Sequence, residues 1–168
     1  MHIHQFPLAK LLGSGKLSSR LVRLAEISLF KQLSAAELGI VDGLLHHREF
    51  LAGEVIFDEG EEGQAIYFVE DGEVSIDRPS LGQHGHIATL KSGDFFGDMA
   101  LLDNLPRAAQ ARALSVVRLT VFFRTDFLAL MDTHASVASK IALQMAREMG
   151  RRLRLVNSSE MQAWRQHL

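Results

Sequence analysis

The 168-residue sequence contains no cysteine, which rules out disulfides, thiolate zinc sites and cysteine nucleophiles. Charge of one sign is also missing. Its 18 basic and 20 acidic side chains leave a formal net charge of −2, so no global field draws the chain to nucleic acid or an anionic membrane. No apolar run approaches the roughly 18 to 20 residues that a membrane-spanning helix needs. The N-terminal stretch MHIHQFPLAKLLGSGK carries Pro7 and no apolar core of signal-peptide length. A nucleophile elbow and a Ser-x-x-Lys helix start are lacking, as are the grouped metal ligands that cyclic phosphodiester hydrolysis needs. Internal repeats and low-complexity linkers are missing too. These absences lead us to expect a cytoplasmic protein that is not an enzyme and holds no metal.

What is present is an ordinary globular composition, 47% hydrophobic and 23% charged, at a length that suits one domain. Gly13-Ser14-Gly15 is a flexible break, after which Leu17, Leu21, Leu24 and Ser28 recur at helical spacing. Ser34-Ala35-Ala36-Glu37 has the form of a capping box, followed by the apolar face Leu38, Val41, Leu44 and Leu45. From about residue 48, short apolar pieces are cut by glycine-bearing turns: Val55-Ile56-Phe57, Ile66-Tyr67-Phe68-Val69, Val74-Ser75-Ile76 and Ile87-Ala88-Thr89-Leu90. That texture predicts a jelly-roll β-barrel. Glu70-Asp71-Gly72-Glu73 predicts a hairpin turn, and Val116 to Phe123 a buried strand. The tail is helical again, with no proline from Ala135 to Trp164. Ala142, Ala146, Met149, Leu153 and Val156, spaced four, three, four and three, form a seam of coiled-coil type that Gly150 interrupts. The expected organisation is mainly β with flanking helices: a helical segment over 1–47, a β-roll over 48–131 and a C-terminal helix over 132–168, all one domain.

The stretch that carries chemistry is FFGDMALLDNLPRAAQ, residues 95 to 110. Arg107 stands there between Leu105-Pro106 and Ala108-Ala109, and an arginine in apolar company needs a partner. One reading pairs it with Asp103 or Glu73 at the surface. The other makes Gly97 to Leu102 a short helical turn whose free N–H groups favour an anion. Arg107 then adds a fork of donors suited to phosphate. Ala108 and Ala109 keep the wall small. Asp98 cannot face a phosphate favourably and is better used on a neighbouring hydroxyl.

Two longer stretches, LAGEVIFDEGEEGQAIYFVEDGEVSI (51–76) and LKSGDFFGDMALLDNLPRAA (90–109), resemble the cyclic nucleotide-binding domain family of catabolite activators, protein kinase A regulatory subunits and cyclic nucleotide-gated channels. The resemblance runs over roughly residues 27 to 155 and includes glycines at 53, 60, 63, 72, 93 and 97. It implies that Arg107 pairs with the cyclic phosphate, helped by the N–H of Ala108. Gly97 offers a backbone contact to the ribose, and Asp98 accepts from its 2′-hydroxyl. Ile76, Ile87 and Leu90 lie where the family contacts the base, although barrel core explains them equally. Arg151 and Arg152 sit where the last helix reaches over the base as a lid. Two positions depart from the family pattern: Asp98 stands for the usual glutamate, and Gln110 for a threonine or serine. Ala108 in place of a threonine resembles members that prefer cAMP to cGMP.

The functional expectation is a non-catalytic cAMP sensor that signals through its C-terminal helix to a homodimer or an effector protein. The alternative is a degenerate domain that keeps the barrel and uses its helices for assembly. Only about 14 residues follow Arg154, too few for a helix-turn-helix, so direct DNA binding is not expected of this stretch. The pairs His46-His47 and His84/His86 invite a metal reading but lack nearby carboxylates. Arg147, Arg151, Arg152 and Arg154 read as a solvated helix face.

Overall fold

The computed structural model describes residues 19–103 and 105–165, with backbone alone at 83, 84, 100 and 155–165. Two helices lead in, α1 (Ser19–Glu26) and α2 (Ala35–Asp42), separated by a 3₁₀ turn at Ser28–Phe30 that buries Leu29 and Phe30. The capping box forms as the sequence predicts: Ser34 Oγ accepts from the Glu37 N–H at 3.3 Å, and the Ser34 N–H donates to Glu37 Oε2 at 2.7 Å. Eight strands follow: β1 (Leu45–Phe50), β2 (Val55–Phe57), β3 (Ala65–Asp71), β4 (Val74–Asp77), β5 (His86–Leu90), β6 (Phe95–Phe96), β7 (Gln110–Ala113) and β8 (Val117–Phe123). Helices α3 (Arg124–Thr133) and α4 (Ala135–Arg165) close the described chain.

The strands form two antiparallel four-stranded sheets, ordered β1-β8-β3-β6 and β2-β7-β4-β5, which face each other as a jelly roll. Two apolar cores result. Phe57, Val69, Val74, Phe96, Ala111, Val117, Leu119 and Val121 fill the space between the sheets. Phe30, Leu38, Ile66, Phe68, Phe122, Phe127, Ile141 and Met145 fill the space between the first sheet and the helices. β3 and β8 therefore bury both faces, which is why the 117–123 segment lacks a clean polar alternation.

Two sequence expectations shift. The strand region runs from 45 to 123 rather than 48 to 131: His46, His47, Arg48 and Glu49 hide a strand, β1, whose middle is exposed, and 124–133 is helical. The Asp71-Gly72 turn is tight, with Gly72 at φ 90°, but β3 and β4 do not pair. They lie in different sheets, so the turn is a corner and not a hairpin. The last helix meets the core with Val137, Ala138, Ile141 and Met145, a face beside the seam read from the sequence. Ala142 flanks this contact, Met149 is half-buried, Ala146 and Leu153 are exposed, and the Val156 side chain lies outside those described.

The first cap also anchors this helix. Lys140 Nζ reaches the two Glu37 carboxylate oxygens at 2.6 and 2.8 Å. That bond, ahead of burial and the Ser34 contacts, holds the Glu37 carboxyl below its ordinary value of 4.5. A carboxyl whose pKa is depressed on folding stabilises the fold above its unfolded value and ceases to as pH falls through the folded one. Glu37→Ala is expected to cost about 1 to 2 kcal/mol at pH 7 by urea unfolding, with the difference from wild type shrinking at pH 3. A difference that persists unchanged at pH 3 would show that the carboxylate charge plays no part.

Candidate functional site

The chain leaves β6 through Gly97 at φ 75°, a left-handed conformation that glycine adopts without strain, and enters a 3₁₀ turn at Asp98–Leu101. A β-carbon at position 97 would sit 2.6 Å from Arg107 Nη1 and 3.1 Å from the Ala65 carbonyl oxygen. The absence of a side chain there is what lets the arginine come close. Residues 105–109 then return toward β7, tied to the preceding loop by the Arg107 N–H to the Glu61 carbonyl at 2.7 Å and the Gly60 N–H to the Arg107 carbonyl at 2.8 Å.

Arg107 is buried, with 8% of its surface exposed. Its guanidinium lies over the Phe57 ring, 4.1 Å from the centroid, and 5.7 Å from that of Tyr67. Tyr67 and Phe96 stack at 5.2 Å with an 11° interplanar angle, and Phe57 leans on both, so an aromatic platform floors the site. Nη1 donates to the Gly97 carbonyl at 3.1 Å and Nη2 to the Ala65 carbonyl at 2.9 Å. Nε is buried with no hydrogen-bond partner. Among the described residues no carboxylate forms an ion pair with Arg107: Glu73 pairs with Lys91 at 3.0 Å, and Asp103 accepts from the Leu105 N–H at 3.3 Å. Burial lowers the Arg107 pKa and raises that of Tyr67, which thus stays a neutral phenol and supplies no counter-charge at neutral pH. The result is a fixed cation, two of its five N–H donors held by carbonyls, beside a solvent-open hollow.

That hollow is lined by Phe57, Ile76 and Phe96, by Gly97, Asp98 and Met99 of the turn, and by Arg107, Ala108 and Ala109. Five of the residues singled out from the sequence thus meet: Ile76, Gly97, Asp98, Arg107 and Ala108. Leu90 packs beside the inter-sheet core and Ile87 is exposed, neither lining the hollow. Strand alternation explains Ile87: Ile76 is paired with Ala88, which turns residue 87 to the other face of β5. Gln110 also faces away. Its Nε2 donates to Asp58 Oδ1, and its Oε1 accepts from Arg112 at 3.2 and 3.3 Å.

The two helix arginines separate. Arg151 pairs with Glu148 on its own helix. Arg152 reaches across to Asp98, with Nη1 at 3.1 Å from Oδ2 and 3.3 Å from Oδ1, while Nη2 donates to the Phe95 carbonyl at 3.4 Å. Sequence reasoning missed this pair and the aromatic platform. Phe57, Tyr67 and Phe96 each read as strand core, and only the sheet pairing brings them under one guanidinium.

Of the histidines singled out, His46, His47 and His86 each stand beside one carboxylate, Asp126, Glu70 and Asp77 respectively, and the His84 side chain lies outside those described. Among the described residues no group of three or more His, Asp or Glu side chains is placed to hold a metal, and no helix is long and apolar enough to cross a membrane.

Comparison with known proteins now adds to the geometry. The family model of the cyclic nucleotide-binding domain matches residues 47–134. The chain is 37% identical over 122 residues to the cyclic AMP receptor protein of Thermus thermophilus, covering 72% of this chain and 56% of that one. It is 36% identical over 90 residues to a cAMP-dependent protein kinase regulatory subunit of Mycosarcoma maydis, covering 54% and 17%. The chain thus spans about half of the first of these and far less of the second. Among solved structures, the catabolite activator protein of Thermus thermophilus superposes with a TM-score of 0.70 at 34% identity, covering 79% of this chain and 61% of that one. The regulatory domain of Toxoplasma gondii protein kinase A, crystallised with cAMP, superposes with a TM-score of 0.63 at 27% identity, covering 76% and 48%.

Proposed function

The chain belongs to the cyclic nucleotide-binding domain family, and from that premise we propose that it is a non-catalytic sensor whose hollow takes a cyclic nucleotide. One observation carries the reading. Arg107 is a buried cation, stacked on Phe57 and anchored by two carbonyls, with a free Nε and no ion-paired carboxylate among the described residues, at the edge of an open hollow. Burying a charge without a counter-charge is costly unless a ligand supplies one. A cyclic phosphate does so, through the remaining guanidinium donors and the N–H of Ala108. The ribose then lies toward Gly97 and Asp98, and the base over Ile76. Ala108 and Ala109 leave room for this approach.

The nucleotide we favour is cAMP. The support is Ala108 at the position where a threonine accompanies cGMP preference, together with the likeness to proteins described by cAMP. Competitive titration with both nucleotides checks this: cAMP is expected to bind more tightly, and equal or reversed affinities would overturn the preference. The signal leaves through α4, and its partner is a second copy of the chain or an effector protein. Exposed Ala146 and Leu153 on that helix are not consumed by the core and support self-association. Sedimentation over a range of concentrations should show a monomer–dimer equilibrium. A monomer throughout would remove the dimer.

A second reading rests on the Asp98–Arg152 pair. With its ribose acid already engaged, the domain would be a degenerate one used for assembly. One structural neighbour, at TM-score 0.64 and 25% identity over 76% of this chain and 43% of its own, is described as the regulatory subunit of a cAMP-independent protein kinase A from Trypanosoma brucei, which supports a reading without cAMP. This reading predicts no binding of either nucleotide.

A further inference from the structure

Asp98 is both a lining residue of the hollow and the acid that Arg152 holds, 54 residues away on α4. The side chain is 9% exposed, and one guanidinium nitrogen spans both of its oxygens at 3.1 and 3.3 Å. An aspartate is one methylene shorter than a glutamate. Fixed at the first residue of the turn after Gly97, it has little reach with which to swing past that nitrogen toward a ligand. Arg152 is seated by two further contacts, the Phe95 carbonyl at 3.4 Å and the Phe95 ring, 4.7 Å from its Cζ. Nothing else described joins the 146–154 part of α4 to the turn by an ion pair, since Arg151 is spent on Glu148.

We propose that Arg152 is a latch: in the unliganded chain it occupies the ribose acceptor Asp98, and a nucleotide 2′-hydroxyl must displace it, which frees the distal part of α4 from the roll. The inference rests on the reading of the hollow as a cyclic nucleotide site. It gives the shorter acid a role. A carboxylate able to serve ribose and arginine together would tie ligand and helix to each other, whereas one that serves only one of them makes ligand and helix compete. Competition of this kind is a coupling free energy between two sites, and it is reciprocal. Whatever removes the Arg152 contact must strengthen nucleotide binding, and nucleotide binding must weaken the Arg152 contact.

The test uses the full chain, wild type and Arg152→Gln, titrated with cAMP and with 2′-deoxy-cAMP, together with amide hydrogen exchange over 146–154. Arg152→Gln is expected to bind cAMP about tenfold more tightly than wild type, in the usual range of such couplings. Its affinity for 2′-deoxy-cAMP should be unchanged, because that ligand never needs the latch open. In wild type, cAMP should accelerate exchange over 146–154 and 2′-deoxy-cAMP should not. If wild type binds cAMP and Arg152→Gln binds it equally or more weakly, the latch is overturned while the site stands, and Arg152 is then a residue that supports the ligand. An equal gain for both nucleotides also overturns it, since the effect would not pass through the 2′-hydroxyl. If neither protein binds either nucleotide, the reading of the hollow fails and the latch fails with it.

Discussion

Arg107→Ala is expected to weaken cAMP binding at least a hundredfold while leaving the unliganded fold nearly as stable as wild type. Each charge-assisted hydrogen bond to a phosphate contributes about 1.5 to 3 kcal/mol, and two lost together reach that factor. The fold should tolerate the change because opposing effects nearly cancel. The Gly97 and Ala65 carbonyls lose their donors, and the Phe57 ring loses a cation worth about 1 kcal/mol. Against this, a buried charge without an ion-paired carboxylate among the described residues disappears, and the open hollow lets water reach the freed carbonyls. A shift of no more than roughly 2 to 4 °C in the unfolding midpoint is expected, measured beside fluorescence titration of the nucleotide. Arg107→Lys should fall between the two proteins: it keeps the charge, but a single ammonium cannot bridge both carbonyls and face a phosphate. Full affinity in Arg107→Ala would remove the arginine from the site.

A large effect on the fold should come from Gly72→Ala. Gly72 sits at φ 90°, and a β-carbon there would lie 2.4 Å from the Val116 carbonyl oxygen and 2.9 Å from Ser115 Oγ. The corner is pinned on both sides, by the Glu73 N–H to Ser115 Oγ at 3.0 Å and the Leu114 N–H to the Glu73 carbonyl at 2.8 Å, so backbone must move against backbone. A cost of about 3 kcal/mol or more is expected from strain and clash together. Gly53→Ala is the matched control. Its φ is 89° but nothing lies within 4 Å of the added carbon, so it should cost only the conformational strain of about 1 to 2 kcal/mol. Urea unfolding of the pair checks this, and equal losses would show that the Val116 contact does not matter.

Gly72 also marks where the sequence stops being informative. Asp-Gly between two apolar runs specifies a tight reversal with a positive φ, and the reversal is there. Whether the two runs then pair depends on which sheet each one enters, and that is decided by distant partners: β8 and β6 for β3, and β7 and β5 for β4. The capping box at Ser34, the buried strand at 117–123 and the turn after Gly97 were legible because their signals are local. The face of α4 was not. Two apolar stripes lie side by side on that helix, and periodicity cannot say that Val137, Ala138, Ile141 and Met145 are the ones packed inward. Ile87 and Gln110 show the same limit on strands, where a shift of one residue reverses the face. In the site itself the arginine could be found from its apolar neighbours. Its aromatic floor and the Arg152 contact required the third dimension, because they join residues 40 to 54 positions apart.

The central claim is that the hollow beside Arg107 takes a cyclic phosphate. Isothermal titration of the wild-type chain with cAMP tests it most directly. The account predicts saturable binding of one nucleotide per chain, competed by cGMP. No heat and no rise in the unfolding midpoint at millimolar cAMP would contradict it.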